Sequence, residues 1–303
     1  MAREKKGKGK SARGSAKGPV AEIGVIGGSG LYGMNGLTDA REIRVKTPFG
    51  DPSDAIVVGT LEGKRVAFLA RHGRGHRLLP SEVNFRANIY AMKLLAWSAS
   101  SPSAPWDRCR KNCAPASFWF PTSFLTAPRA APPRSSEMGW WRMSRLTSLP
   151  ARNCPWCWPM PAFLPAWRFI AGAPTCMEGP QFSTLAEANF HRAMKFEVIG
   201  MTNVTEAKLA REAELCYATI AMITDYDCWH PQHDSVTVAQ IIATLNQNAS
   251  NAQNVLREAI KTMPAARSCK CGSALAHAML TDPKVIPAKT KKNLAALIGR
   301  YIS

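Results

Sequence analysis

AEIGVIGGSG, residues 21–30, is the stretch on which the fold turns. Glu22-Ile-Gly-Val-Ile26 is a short apolar run of the kind a buried strand needs, and Gly27-Gly28-Ser29-Gly30 ends it in a turn. A second run, Lys64-Arg-Val-Ala-Phe-Leu-Ala70, stops the same way at Arg71-His72-Gly73. Pro80 then opens an amphipathic helix to about Trp97. Further along, Phe196-Glu-Val-Ile-Gly-Met201 predicts a strand, Thr205 to Leu215 a helix, and Cys216 to Thr224 a strand ending at Asp225. Thr237 to Ile260 repeats apolar residues at helical spacing, with Thr237 and Gln240 placed as a capping box, and predicts a long core-facing helix. A helix at about Lys291 to Tyr301 ends the chain. Strands alternating with helices predict an α/β fold: a single domain with a mixed, mostly parallel central sheet flanked by helices.

The chain has 303 residues, 46% hydrophobic and 20% charged, enough for a sizeable core. No apolar run approaches the roughly 18 residues of a membrane-spanning helix. The basic start lacks the apolar stretch of a secretory signal, so a cytoplasmic protein without a membrane partner is expected. The net charge of +18 raises the question of nucleic acid. Its distribution argues against it. Residues 1–19 hold seven Lys/Arg against one acid, residues 98–175 nine against two, and the rest of the chain is nearly balanced. The Lys/Gly/Ser-rich residues 1–19 read as a flexible basic tail, 20–265 as the folded domain and 266–303 as a C-terminal helical tail.

Residues 98–175 differ in character. They hold 13 of the 22 prolines and seven of the nine tryptophans, with no Val and a single Ile. Central strands need β-branched residues, and proline removes ladder donors, so this segment is a poor source of them. Its Pro/Trp/Arg bias is that of a G+C-rich coding sequence translated out of frame, which points to two compensating frameshifts near 98 and 175. The alternative is a genuine Pro-rich insertion.

In parallel sheets ligands gather at the carboxyl ends of the strands, where this chain places Ser29, Arg71 with His72, Thr202, and Asp225. The glycine turn offers converging N–H groups, Ser29 and His72 further donors, and Arg71 a forked cation, which together suit a phosphate. Taken singly, the glycines suit an ordinary turn and His72 a packed or exposed histidine. Gly28 to Gly33 fits G-x-G-x-x-G, yet Met34-Asn-Gly-Leu-Thr-Asp39 is a poor helix start, so a dinucleotide fold is rejected. Asp225 and Asp227 can hold or donate a proton to a heteroaromatic nitrogen, or else cap a loop. Phe182, in Met177-Glu-Gly-Pro-Gln-Phe182, can cover a ligand ring or sit in the core. Cys109 with Cys113, Cys154 with Cys157, and Cys269 with Cys271 have zinc-like spacings, but no metal is expected and the nine cysteines read as reduced, unligated thiols.

IGVIGGSGLY, TPFGDPSD, ARHGRGHRLLPSEVNFRANIYA, CMEGPQFST and VIGMTNVTEAKLAREAELCYATIAMITDYDCWH, with the long helix after them, cover about residues 22–97 and 176–262. In these motifs the chain closely resembles the methylthioadenosine phosphorylases of the trimeric purine nucleoside phosphorylase family. The resemblance implies a homotrimer that cleaves 5′-methylthioadenosine with inorganic phosphate as co-substrate and no cofactor, in methionine and purine salvage. It implies Ser29, Arg71, His72 and Thr202 at phosphate, Met201 along the ribose, Phe182 near the base, Asp225 on N7 and the 6-amino group, and Asp227 supporting it. The family's base-contacting loop and several of its site residues have no counterpart in 98–175. Two alternatives stand beside this reading: a purine-binding protein derived from a phosphorylase but impaired in turnover, and a phosphorylase preferring methylthioinosine or other purine nucleosides.

Overall fold

The structure, a computed structural model, describes residues 20–28, 31, 33–96, 173–194, 196–220, 222, 227–229, 238–263 and 269–302. Most of the composition-shifted segment, and with it the basic tail, lies outside the described residues.

Four strands form one sheet: β1 (Ile23–Gly27), β2 (Thr38–Ile43), β3 (Ile56–Leu61) and β4 (Lys64–Ala70), in the order β1-β4-β3-β2. β1 runs parallel to β4, with Ile23 beside Val66 and Gly27 beside Ala70, so both predicted strands end at the same level. β3 and β4 are antiparallel, joined by Glu62-Gly63, both with positive φ, the backbone a tight hairpin turn requires. β2 is the exposed, charged outer strand; its polar text carries no strand alternation, and the sequence pattern did not reveal it. A second, two-stranded parallel sheet pairs β5 (Ala173–Cys176) with β6 (Phe196–Gly200). β5 begins inside the segment judged poor in strands. Its ladder shifts register between Ala173 and Pro174, a place where a residue without an N–H is tolerated.

The helices are α1 (Phe85–Ala96), α2 (Leu185–Ala193), α3 (Asn203–Glu212), α4 (Val238–Thr262), α5 (Ala288–Asn293) and α6 (Ala295–Ile298). Pro80–Glu82 is a separate 3₁₀ turn before α1, because Val83 returns to an extended conformation. The predicted strand from Cys216 does not form in its described residues, which are irregular through Ile220. Instead of joining a ladder, this segment hydrogen-bonds by its side chains, Tyr217 and Thr219, to the first turn of α3.

Alternation along β4 builds the layers. Val66 and Phe68 pack with Ile23 and Val25 against Ala252 and Ile260 of α4, whereas Ala67 and Leu69 pack against Ala91, Met92 and Leu95 of α1. Lys64 donates to the carbonyls of Ile260 and Met263, each at 2.6 Å, and so neutralises the negative end of α4. On its far side α1 meets α3 and the C-terminal segment in one cluster: Phe85, Ile89, Tyr90, Leu209, Ala213, Leu275, Leu294 and Ile298. The Tyr90 hydroxyl donates to the Asn293 carbonyl at 2.7 Å. Residues 269–302 are therefore part of the core.

Candidate functional site

β1 and β4 both end beside α3. The Arg71 N–H donates to the Gly27 carbonyl at 2.9 Å, which locks the residue after β4 onto the end of β1. Gly27 leaves no room for a side chain, since a Cβ there would lie 2.1 Å from the Leu31 carbonyl oxygen, and a Cβ on Gly28 would lie 2.7 Å from Arg71 Nη1 and displace the guanidinium. The backbone turn and the guanidinium are thus in direct contact.

Arg71 is aimed by a group the sequence reading missed. Its Nε donates to Glu206 Oε1 at 2.5 Å and its Nη2 to Glu206 Oε2 at 2.9 Å, a fork on fork, while Nη1 lies against the glycine turn. Glu206 is completely buried in α3, and the Tyr217 hydroxyl donates to its Oε2 at 2.7 Å. Burial opposes the Arg71 charge, but the Glu206 carboxylate outweighs it and raises the arginine above its usual value. Burial, then the Glu206 charge, pushes the Tyr217 hydroxyl well up, so it stays a donor. A signal existed: on α3, Glu206 shares a helical face with Leu209, Ala210 and Ala213, and an acid on an apolar face calls for a buried cation.

His72 is buried rather than exposed. Its Nδ1 lies 2.9 Å from the Leu78 carbonyl, which only accepts, so Nδ1 carries the proton. Its ring stacks on His76 with centroids 4.5 Å apart. Burial lowers its pKa, so near neutral pH the ring is neutral and Nε2 is an acceptor. This differs from the expected donor role: Nε2 of the neutral ring offers a lone pair. Thr202, buried, stands at the N-terminus of α3 without making a capping bond. Asn203, next to it, accepts from the Thr219 hydroxyl at 3.1 Å.

The loop that carries Phe182 lies against Met201, the residue before Thr202. Met201 touches the 177–182 loop, since a Cβ on Gly179 would lie 2.9 Å from its methyl. Phe182 is 77% exposed, which excludes the core alternative. The 3₁₀ turn Asp227–Trp229 rests on the same loop: Cys228 Sγ donates to the Ser183 carbonyl at 3.4 Å, and Arg192 lies over the Trp229 ring at 3.8 Å. The structure therefore brings together Arg71 and the glycine turn, with His72 adjoining Arg71 and Thr202 one helical turn before Glu206, and sets the Phe182 loop beside the Asp227 turn. Ser29, Asp225 and the Asp227 side chain lie outside the described residues.

Comparison with known proteins places the whole chain beside one family. The Phosphorylase superfamily matches residues 162–261. An S-methyl-5'-thioadenosine phosphorylase of Koribacter versatilis is 51% identical over 288 residues, covering 93% of this chain and 97% of the relative. One from Geobacter sulfurreducens is 47% identical, covering 92% and 99%. Among solved structures, a methylthioadenosine phosphorylase from an antarctic soil metagenomic library superposes with a TM-score of 0.72 at 38% identity, covering 92% of this chain and 99% of that one. The methylthioadenosine phosphorylase of Schistosoma mansoni in complex with adenine gives 0.62 at 25% identity, covering 91% and 97%.

Proposed function

The chain belongs to the S-methyl-5'-thioadenosine phosphorylase family, and from that premise we propose that it transfers the 5-methylthioribosyl group of 5′-methylthioadenosine from adenine to inorganic phosphate. One observation carries this reading: a guanidinium held by a buried carboxylate, with its remaining arm against a glycine turn and a helix N-terminus close by.

A phosphate oxygen attacks the anomeric carbon while the C1′–N9 bond breaks and its electron pair passes to the purine. Arg71, Thr202, Ser29 and the turn N–H groups hold the phosphate, and neutral His72 accepts its P–OH hydrogen bond. Asp225, as the carboxylic acid, donates its proton to N7 as negative charge grows on the imidazole side of the leaving base, and its other oxygen accepts from the 6-amino group; Asp227 supports it. That second oxygen accepts from an amine but repels a carbonyl oxygen, which favours adenine over hypoxanthine. Met201 lies along the ribose and Phe182 over the base.

The reaction needs phosphate and no cofactor. The homotrimer of the family is supported by α2, whose Leu185 and Phe190, with Met194 just after it and Phe182 just before it, are exposed and apolar. Among the described residues no helix is long and apolar enough to cross a membrane, in keeping with a cytoplasmic salvage enzyme. A second reading, purine binding without turnover, is favoured by the composition of residues 98–175.

The test is product analysis of the purified full chain with methylthioadenosine and with methylthioinosine, each with saturating phosphate. Adenine and 5-methylthioribose 1-phosphate in equal amounts, with little hypoxanthine from the second substrate, is the expected result. A strong preference for methylthioinosine contradicts the assignment of Asp225, and adenine binding without release supports the second reading.

A further inference from the structure

Three thiols meet away from the proposed nucleoside site. Cys216 follows α3, and Cys269 and Cys271 flank Lys270 at the start of the 3₁₀ turn Lys270–Ser273. Cys216 Sγ lies 3.3 Å from Cys269 Sγ, and all three sulfurs lie within 4.8 Å of one another. None is in a disulfide. Zinc–thiolate bonds of about 2.3 Å in a tetrahedral arrangement separate sulfurs by about 3.8 Å, so these atoms need move only slightly to share one ion.

The segments that carry them are already fixed to each other. Glu214, buried two residues before Cys216, accepts from the Leu275 N–H at 3.0 Å and from the Tyr301 hydroxyl at 2.5 Å, and pairs with Arg300. Arg300 in turn donates to the Gly272 carbonyl, beside Cys271. The backbone segments that carry the three sulfurs are thus tied to each other by hydrogen bonds outside the cluster.

We propose that Cys216, Cys269 and Cys271 form a site for one thiophilic divalent ion of the Zn²⁺ class, with solvent in the fourth position. It departs from the expectation of unligated thiols, because Cys216 is not part of any spacing motif and joins the Cys269-Lys-Cys271 pair only through the fold. Binding releases the thiol protons and clamps the chain after α3 to the C-terminal segment. Cys216 adjoins Tyr217, so the clamp lies next to the hydrogen bond that supports Glu206 and Arg71.

The experiment titrates the reduced full chain with Co²⁺, in a background where Cys109, Cys113, Cys154 and Cys157 are serine. The expected result is one equivalent bound with a thiolate-to-cobalt charge-transfer band, bleached by Zn²⁺, and a Tm that rises with Zn²⁺. Cys271→Ser, at a half-buried position, should lose both responses and keep the metal-free Tm. No band in the reduced chain, a band unchanged in Cys271→Ser and in Cys269→Ser, or a Cys216–Cys269 disulfide already formed in chain purified without oxidant overturns the proposal.

Discussion

Glu206 has no exposed surface, both its oxygens are taken by Arg71, and Oε2 also accepts from Tyr217. Replacing it by glutamine leaves a buried guanidinium without its counter-charge, at a cost of about 3–5 kcal/mol. Glu206→Gln is expected to lower the denaturant midpoint and raise the KM for phosphate more than it lowers kcat; an unchanged phosphate KM argues against a positioning role. His72 gives a pH signature. Its folded pKa lies below the ordinary 6.5, so the stability it contributes is present above pH 6.5 and lost as pH falls below it. Unfolding midpoints on the two sides of that pH should differ in the parent and differ less in His72→Asn. The places of Arg71, His72 and Thr202 just beyond strand ends were legible in the sequence because strand ends are marked by turn residues. Glu206 was not, because a charged residue on a helix usually faces water, and only the fold puts this one under an arginine.

At the scale of elements, β1, β4, α1, α3 and α4 follow from apolar periodicity, since each buries a face whose spacing is written in the chain. β2 escaped notice because an edge strand faces water on most sides and carries no alternation. The described part of the run from Cys216, through Ile220, has strand-forming residues, but β propensity depends on a neighbour to pair with. The Leu275 side chain, with no exposed surface, fills the cluster between α1, α3 and the C-terminal segment. Leu275→Ala is expected to cost about 2–5 kcal/mol in chemical denaturation. A cost near zero would mean that the C-terminal segment is not part of the cooperative core. The loop before β3 is tied to the loop after β4 through Asp54, which accepts the Arg74 N–H at 2.8 Å and also bonds its guanidinium. Burial resists the Asp54 charge, yet these bonds win and lower its pKa from 3.8 to about 2. Its contribution is present above pH 3.8 and lost as the pH falls towards 2, so Asp54→Asn should flatten the acid branch of the stability curve over that window.

For the molecule as a whole, helices pack on both faces of the four-stranded sheet, and the glycine turn and Arg71 stand together at the ends of its parallel strands. The fold class was legible because alternation of strands and helices admits few layer arrangements. The contribution of residues 98–175 was not, since their proline-rich text lacks the periodicity from which elements are read. If frameshifts produced that text, the DNA between those points, read in the shifted frame, is expected to give a Val-rich, strand-forming sequence; a shifted frame with no such pattern removes the explanation. The most direct test of the whole account is the initial rate of adenine release from methylthioadenosine as phosphate is raised from zero, in the parent and in Arg71→Ala. The account predicts no release without phosphate, saturation in the parent, and a much higher half-saturating phosphate concentration in the variant. Release that ignores phosphate, or a variant that saturates like the parent, would contradict it.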